Sequence, residues 1–219
     1  VAAPRRRLGG SFVAMVRPQL AHERTAVAQV AALGFDPADV RHVILTHLDL
    51  DHAGGLSDFP RAAVHVHRDE LAAARAPTLR ERNRYRGAQW AHGPDWRTYD
   101  AGGEAWFGFG AVRDLPGLPA EILTVPMAGH TRGHALVAVD SDRGWLLHCG
   151  DAYFHESAVD PARPAAGPAL RLFEAAVAID RARVRDNHER LRELVAAGHP
   201  QLAVFSAHDP AELRRLRER

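Results

Sequence analysis

Short apolar runs recur along the chain at a length typical of buried strands. Each is three to five residues long. The runs lie at 43–45, 63–67, 122–125, 135–139, 145–148 and 202–205. A four-residue polar segment, Ser141–Gly144, separates two of them and predicts a β-hairpin.

Apolar residues at helical spacing mark two other regions. The first, from His22 to Leu33, is followed by Gly34, which is suited to end a helix. The second runs from Leu170 to Ala197, and Asp186-Asn187 is expected to divide it into two helices. Asp36-Pro37 predicts a cap and the first position of a short helical turn.

This mixture of strands and helices predicts an α/β (α+β) fold. With 219 residues, the chain fits one domain over 1–219 better than two, at about 150 residues per domain. Residues 77–119 are rich in glycine, proline, tryptophan and arginine and show no clear period. This segment is either a lid or substrate loop inserted in the domain or a plain surface excursion.

The composition excludes several chemistries. All 28 basic residues are arginine, so neither a Schiff-base lysine nor the lysine of a phosphate-binding P-loop is present. One cysteine excludes an intrachain disulfide framework and cysteine-rich zinc modules. The chemistry that remains available is that of the 14 histidines and of the carboxylates. A net charge of +1 argues against a nucleic-acid partner, because such a chain lacks a broad positive field.

The first residues contain a basic and then an apolar stretch. Arg5–Arg7 and Leu8–Val16 have the order of a secretory signal, but Gly9 and Gly10 interrupt it and no cleavage site follows. We therefore expect a loop there. No run reaches the roughly 18 apolar residues of a membrane span, so no membrane partner is expected. With a single cysteine, the predicted location is cytoplasmic.

Histidines and aspartates cluster where predicted strands end. Four such residues, His47, Asp49, Asp51 and His52, follow the run at 43–45. Three more follow later runs: His130, Asp151 and His208. Taken singly, these residues could be helix caps, as in His208-Asp209-Pro210. Because side chains at strand ends meet at one edge of a sheet, together they predict a metal site.

These motifs resemble those of the metallo-β-lactamase superfamily, including its lactonase and glyoxalase II-like branch. Gly129-His130-Thr131-Arg132-Gly133-His134 is similar to the family's Gly-His-Thr-x-Gly-His loop. The resemblance implies an αββα sandwich of two mixed sheets with outer helices. It also implies two divalent metal ions. His47 and His130 would hold the first ion, Asp51, His52 and His208 the second, and Asp151 would bridge them. His134 would order its loop.

The chain departs from the family pattern in two places. Asp49 stands where the family usually has histidine, which adds a third carboxylate to the site. Zinc is the expected metal, but this extra charge favours iron or manganese more than a histidine-rich site does. Asp49 also resembles the diiron branch of the superfamily. The second departure concerns the pair of strands with which the family normally begins. No such hairpin is predicted before Gly34.

The resemblance implies a metal-dependent hydrolase. A small ester, lactone or thioester would be attacked by a bridging metal-activated hydroxide. Asp51 would hold this nucleophile and pass a proton to the leaving group, and Tyr153 could donate a hydrogen bond to substrate. Lactonases place a tyrosine where this chain has Phe154. Two alternatives are a diiron redox protein and a phosphodiesterase of the same fold. Only the run Arg80, Arg82, Arg84 and Arg86 favours the phosphodiesterase, and a solvated face is the simpler interpretation of that run.

Overall fold

The computed structural model describes residues 3–110 and 113–218. Contacts between residues divide the chain into two compact units. One lies within Val1–Val66 and Leu71–Thr98, and the other within His67–Glu70 and Tyr99–Arg219. The prediction of a single domain over 1–219, with a lid at 77–119, stays a prediction.

The secondary structure is mixed, as predicted. The helices are α1 (Pro4–Leu8), α2 (Gly10–Val16), α3 (Ala26–Ala32), α4 (Arg68–Arg75), α5 (Pro168–Val177), α6 (Arg181–Ala196) and α7 (Pro210–Arg217). The strands are β1 (His42–Ile44), β2 (Ala63–His67), β3 (Asp95–Tyr99), β4 (Arg113–Asp114), β5 (Ile122–Pro126), β6 (Ala135–Ser141), β7 (Gly144–His148) and β8 (Leu202–Phe205).

The first unit is built on a three-stranded sheet in the order β1-β2-β3. Strands β1 and β2 are parallel, with His42 opposite Ala63. Apolar side chains from the strands and the following loop pack into one core, among them Leu48, Val64 and Val66. Burial of these β-branched and leucine side chains gives the short strands their stability.

The second unit contains a five-stranded sheet in the order β4-β5-β6-β7-β8. Neighbours from β4 to β7 are antiparallel, whereas β7 and β8 are parallel, so the sheet is mixed. The β6-β7 hairpin is confirmed, and Ser141 pairs with Gly144 across a two-residue turn. Leu136, Leu147 and Leu191 form part of a fully buried core.

The predicted break in the long C-terminal helical region is misplaced. The helix ends at Val177 and resumes at Arg181, whereas Asn187 is buried inside α6. The break falls earlier because backbone N–H groups of Ile179 and Asp180 donate to the carbonyl groups of His130 and Gly129. Asp180 then caps α6 by accepting from Ala182 and Arg183.

The six apolar runs form six strands, with bounds that agree to within two residues. The expected loop at 5–16 is wrong, because α1 and α2 occupy this stretch, with Pro4 at the first position of α1. Strands β3 and β4, inside 77–119, were not predicted because they lack an apolar run. None of the helices in the described ranges is both long and apolar enough to cross a membrane.

Candidate metal centre

The first group of ligand-type side chains lies on the loop that follows β1. His47 is fully buried, and its Nδ1 lies 2.9 Å from the Thr46 hydroxyl. The ring centroids of His47 and His52 are 4.1 Å apart. A hydrogen bond at Nδ1 fixes the ring orientation, as is usual for metal-binding histidines.

Asp49 lies in the same group and is engaged by an arginine. Its Oδ2 is 3.7 Å from His47 Nε2. Arg84 Nε donates to Asp49 Oδ1 at 2.8 Å, and an Arg84 terminal nitrogen donates to Oδ2 at 2.5 Å. The predicted solvated face at residues 80–86 is therefore wrong for Arg84, whose side chain is 11% exposed. The partner of Arg84 lies 35 residues away in the chain, so the periodicity of the arginines could not indicate this contact.

Two further side chains hold the backbone of this loop. Gln89 is buried, and its amide donates to the carbonyl of Leu50 at 2.5 Å. Arg7 donates to the carbonyl of Gly54 at 2.7 Å. Neither was identified from the sequence, because both lie more than thirty residues from the loop. Asp51 stays more open, with 35% of its side chain exposed.

The second group centres on the buried carboxylate of Asp151. Its Oδ2 lies 3.4 Å from His130 Nε2, and its Oδ1 lies 3.3 Å from His208 Nε2. His130 follows β5, Asp151 follows β7 and His208 follows β8, as the strand-end argument requires. One carboxylate thus has a histidine at each oxygen, and the predicted bridging role of Asp151 stays a prediction.

The loop carrying His130 is fixed by buried polar contacts. His134 Nε2 accepts from the backbone N–H of Asp151 at 3.0 Å, which fits the ordering role that the resemblance implies. Glu70, which is fully buried, accepts from the backbone N–H of Gly133 at 3.1 Å. Glu70 was not identified from the sequence, because nothing near it in the chain indicates a partner 63 residues away.

Tyr153 points into the core of the second unit. Its side chain is fully buried and its hydroxyl donates to Glu212 at 2.7 Å. Glu212 also accepts from the backbone N–H of Ser206 at 2.7 Å. Burial raises the pKa of Tyr153 well above its ordinary value, and burial also raises the pKa of Glu212. The predicted contact of Tyr153 with substrate stays a prediction, and this placement weighs against it.

Phe154, rather than Tyr153, lies beside the candidate ligand histidines His130 and His208. Its ring centroid is 5.7 Å from that of His130 and 5.6 Å from that of His208. Phe154 is buried, with 7% of the residue exposed, so the two candidate histidines pack against an apolar ring. Phe154 marks the position where the resemblance places a tyrosine, and it carries no hydroxyl there.

The described residues include groups of histidine and aspartate that could hold metal ions. Their donors are imidazole nitrogen and carboxylate oxygen, which suit zinc, iron and manganese. Within the second unit, two imidazoles already face one carboxylate, so the donor set fits a bound divalent cation.

Comparison with known proteins defines the class. The family model of the metallo-beta-lactamase superfamily matches residues 14–199. The chain belongs to this superfamily, as the motifs predicted, and the matched residues include parts of both compact units.

Two related proteins have names that describe an activity. The probable metallo-hydrolase Rv2300c of Mycobacterium tuberculosis is 44% identical over 92% of this chain, which spans 65% of that protein's length. The N-acyl homoserine lactonase AttM of Agrobacterium fabrum is 32% identical over 62% of this chain and 50% of its own length.

Solved structures confirm the fold class. An N-acyl homoserine lactone hydrolase, solved with its product N-hexanoyl-L-homoserine at the catalytic metal center, matches with a TM-score of 0.65 at 21% identity. The match covers 90% of this chain and 67% of the other. The dizinc quorum-quenching lactonase AidC matches with a TM-score of 0.61 at 17% identity, over 87% of this chain and 65% of its own.

Proposed function

We propose that this protein is a metal-dependent hydrolase that opens a small lactone, with simple esters and thioesters as related substrates. The observation that carries the proposal is the buried carboxylate of Asp151 with a histidine at each oxygen. Support also comes from relatives that are named metallo-hydrolase and N-acyl homoserine lactonase. The single buried cysteine supports a cytoplasmic enzyme.

The proposed site holds two divalent metal ions. In this assignment His47, Asp49 and His130 serve the first ion, and Asp51, His52 and His208 serve the second, with Asp151 shared. Zinc is the proposed metal, and the AidC lactonase, to which the chain is similar in fold, is described as a dizinc enzyme. When bound, the ions would lower the pKa of a water molecule and polarise the substrate carbonyl.

The residues of this chain would carry out proton transfer and substrate selection. Asp51, which is partly exposed, would accept a proton from the attacking water and return it to the leaving oxygen. Attack forms one carbon–oxygen bond and breaks the ring ester bond, so the product is a hydroxy acid. The apolar ring of Phe154 favours a substrate whose remaining part is hydrocarbon.

One observation favours the alternative of a diiron redox protein. Asp49 adds a carboxylate to the first group, and carboxylate ligands suit iron and manganese. The phosphodiesterase alternative is weaker, because Arg84, one of the four arginines on which it rested, is bound to Asp49.

The test is elemental analysis of protein purified without added metal, together with turnover of lactones, thioesters, nitrophenyl esters and phosphodiesters. We expect divalent metal and lactone hydrolysis. Two irons, no hydrolysis and oxygen consumption with a reductant would overturn the proposal.

Alanine variants test the assigned residues. Asp49→Ala and His130→Ala should bind metal more weakly than wild type and lose turnover. His22→Ala, which changes an exposed histidine outside both groups, should keep both and serves as the control. Full metal content and turnover in the first two variants would show that the site is assigned wrongly.

A further inference from the structure

The contact between Asp49 and Arg84 differs from the ion pairs on the protein surface. The two side chains are 12% and 11% exposed, and the guanidinium meets both carboxylate oxygens. By contrast, both partners of the Arg97–Asp95 pair are more than half exposed. A two-point arginine–carboxylate contact out of water is strong and geometrically specific.

This contact changes the charge of the proposed site. Asp49, Asp51 and Asp151 together bring three negative charges, whereas a histidine at position 49 would leave two. Arginine stays protonated at any physiological pH, so Arg84 cancels one of these charges at contact distance. Asp49 and Arg84 together then carry the same net charge as a neutral imidazole.

We infer that Arg84 is a positioning residue for the metal site, which fixes Asp49 and neutralises its charge. The site keeps the preference for zinc of a two-carboxylate site and loses the shift toward harder metals that Asp49 alone would cause. This inference rests on the proposed metal site, but it concerns metal selectivity and includes no step of hydrolysis.

The test compares metal affinities of apoprotein by competition with a chromophoric chelator. Zn²⁺ and Mn²⁺ are titrated separately into wild type, Arg84→Met and Arg84→Lys. We expect Arg84→Met to raise the affinity for Mn²⁺ relative to Zn²⁺ by at least about tenfold, because a carboxylate charge becomes uncompensated. Arg84→Lys keeps the charge and should keep the wild-type ratio. Arg97→Met is the matched control, because it removes an arginine from an exposed pair.

A double variant keeps the inference testable if Arg84→Met fails to fold because it leaves Asp49 buried without its cation. Asp49→Asn with Arg84→Met removes both charges together. We expect its ratio of Mn²⁺ to Zn²⁺ affinity to stay within about twofold of wild type.

Three results from the variants would overturn the inference alone. The first is an unchanged ratio in folded Arg84→Met. The second is a shift in Arg84→Lys as large as in Arg84→Met. The third is a tenfold or larger shift toward zinc in the double variant, which would mean that the charge of Asp49 acts uncompensated. A wild type that binds no metal would overturn the inference and the metal site together. Failure to hydrolyse lactones would overturn only the proposed function.

Discussion

The two units carry their ligand-type residues in different ways. In the first unit, four of them fall within six positions of one loop after β1. In the second unit, three come from the ends of three strands of one sheet. A local group is visible as a sequence motif, whereas a distributed group needs the sheet order to bring it together.

Different side-chain contacts support the two groups. The loop of the first unit is held by donors: Arg84 on Asp49, and Gln89 and Arg7 on backbone carbonyls. In the second unit, buried Glu70 and Glu212 accept from the backbone N–H groups of Gly133 and Ser206, and the Asn187 amide donates to the carbonyl of Ala128. In either unit, removing the partner of a buried carboxylate should be costly, because an unpaired buried acid is destabilising.

The largest expected effect is loss of metal from the second group. Asp151→Asn removes the charge that faces both His130 and His208, so divalent metal affinity should fall by more than about 100-fold. Chelator competition on the variant measures this. Asp140→Asn, at an exposed carboxylate, should bind as wild type does. Equal affinity in both variants would mean that Asp151 is not a ligand.

Glycine substitutions compare the two loops directly. A Cβ at Gly133 would overlap the backbone of Glu70, so Gly133→Ala should lower the free energy of unfolding by about 3 kcal/mol. Gly55, in the loop of the first unit, has φ −89° and open space around it. Gly55→Ala should therefore change stability by less than about 1 kcal/mol. Urea denaturation measures both changes in stability. Equal losses would show that Gly133 is packed no more closely than Gly55.

Tyr153→Phe separates a supporting role from a reacting one. The variant loses the hydrogen bond to buried Glu212, which should cost about 1–2 kcal/mol of stability. The turnover number of the folded variant should stay close to that of wild type. Unchanged stability with a large fall in turnover would instead place the hydroxyl on the substrate.

The smallest effect is a pH dependence of stability from Glu212. Burial raises its folded pKa above the ordinary 4.5, although hydrogen bonds from Ser206 and Tyr153 act in the opposite direction. The nearby carboxylate of Asp209 also raises it. The folded state thus binds this proton more tightly than the unfolded chain, so its contribution is full below pH 4.5 and is lost as pH rises through the folded pKa.

Glu212→Gln should flatten this dependence. The free energy of unfolding, measured in urea from about pH 4 to pH 7, should fall less with rising pH in the variant than in wild type. Parallel curves would show that Glu212 does not titrate differently in the folded state.

Sequence patterns predicted those features that are determined by residues close together in the chain. Apolar runs located six strands, and the motif from His47 to His52 located a family-defining loop, because both signals are local. They missed Arg84, Glu70 and Gln89, whose partners lie between 35 and 63 residues away. They also placed the helix break at Asp186-Asn187, since only the fold reveals that Ile179 and Asp180 bond to the loop of His130.

The central proposal is that the assigned histidine and aspartate residues hold two divalent metal ions. Zinc titration of metal-free wild-type protein, followed by calorimetry, tests it most directly. The account predicts saturation at about two ions per chain, as for two-metal sites of this kind. Binding of no zinc, or a single ion that survives Asp151→Asn, would contradict it.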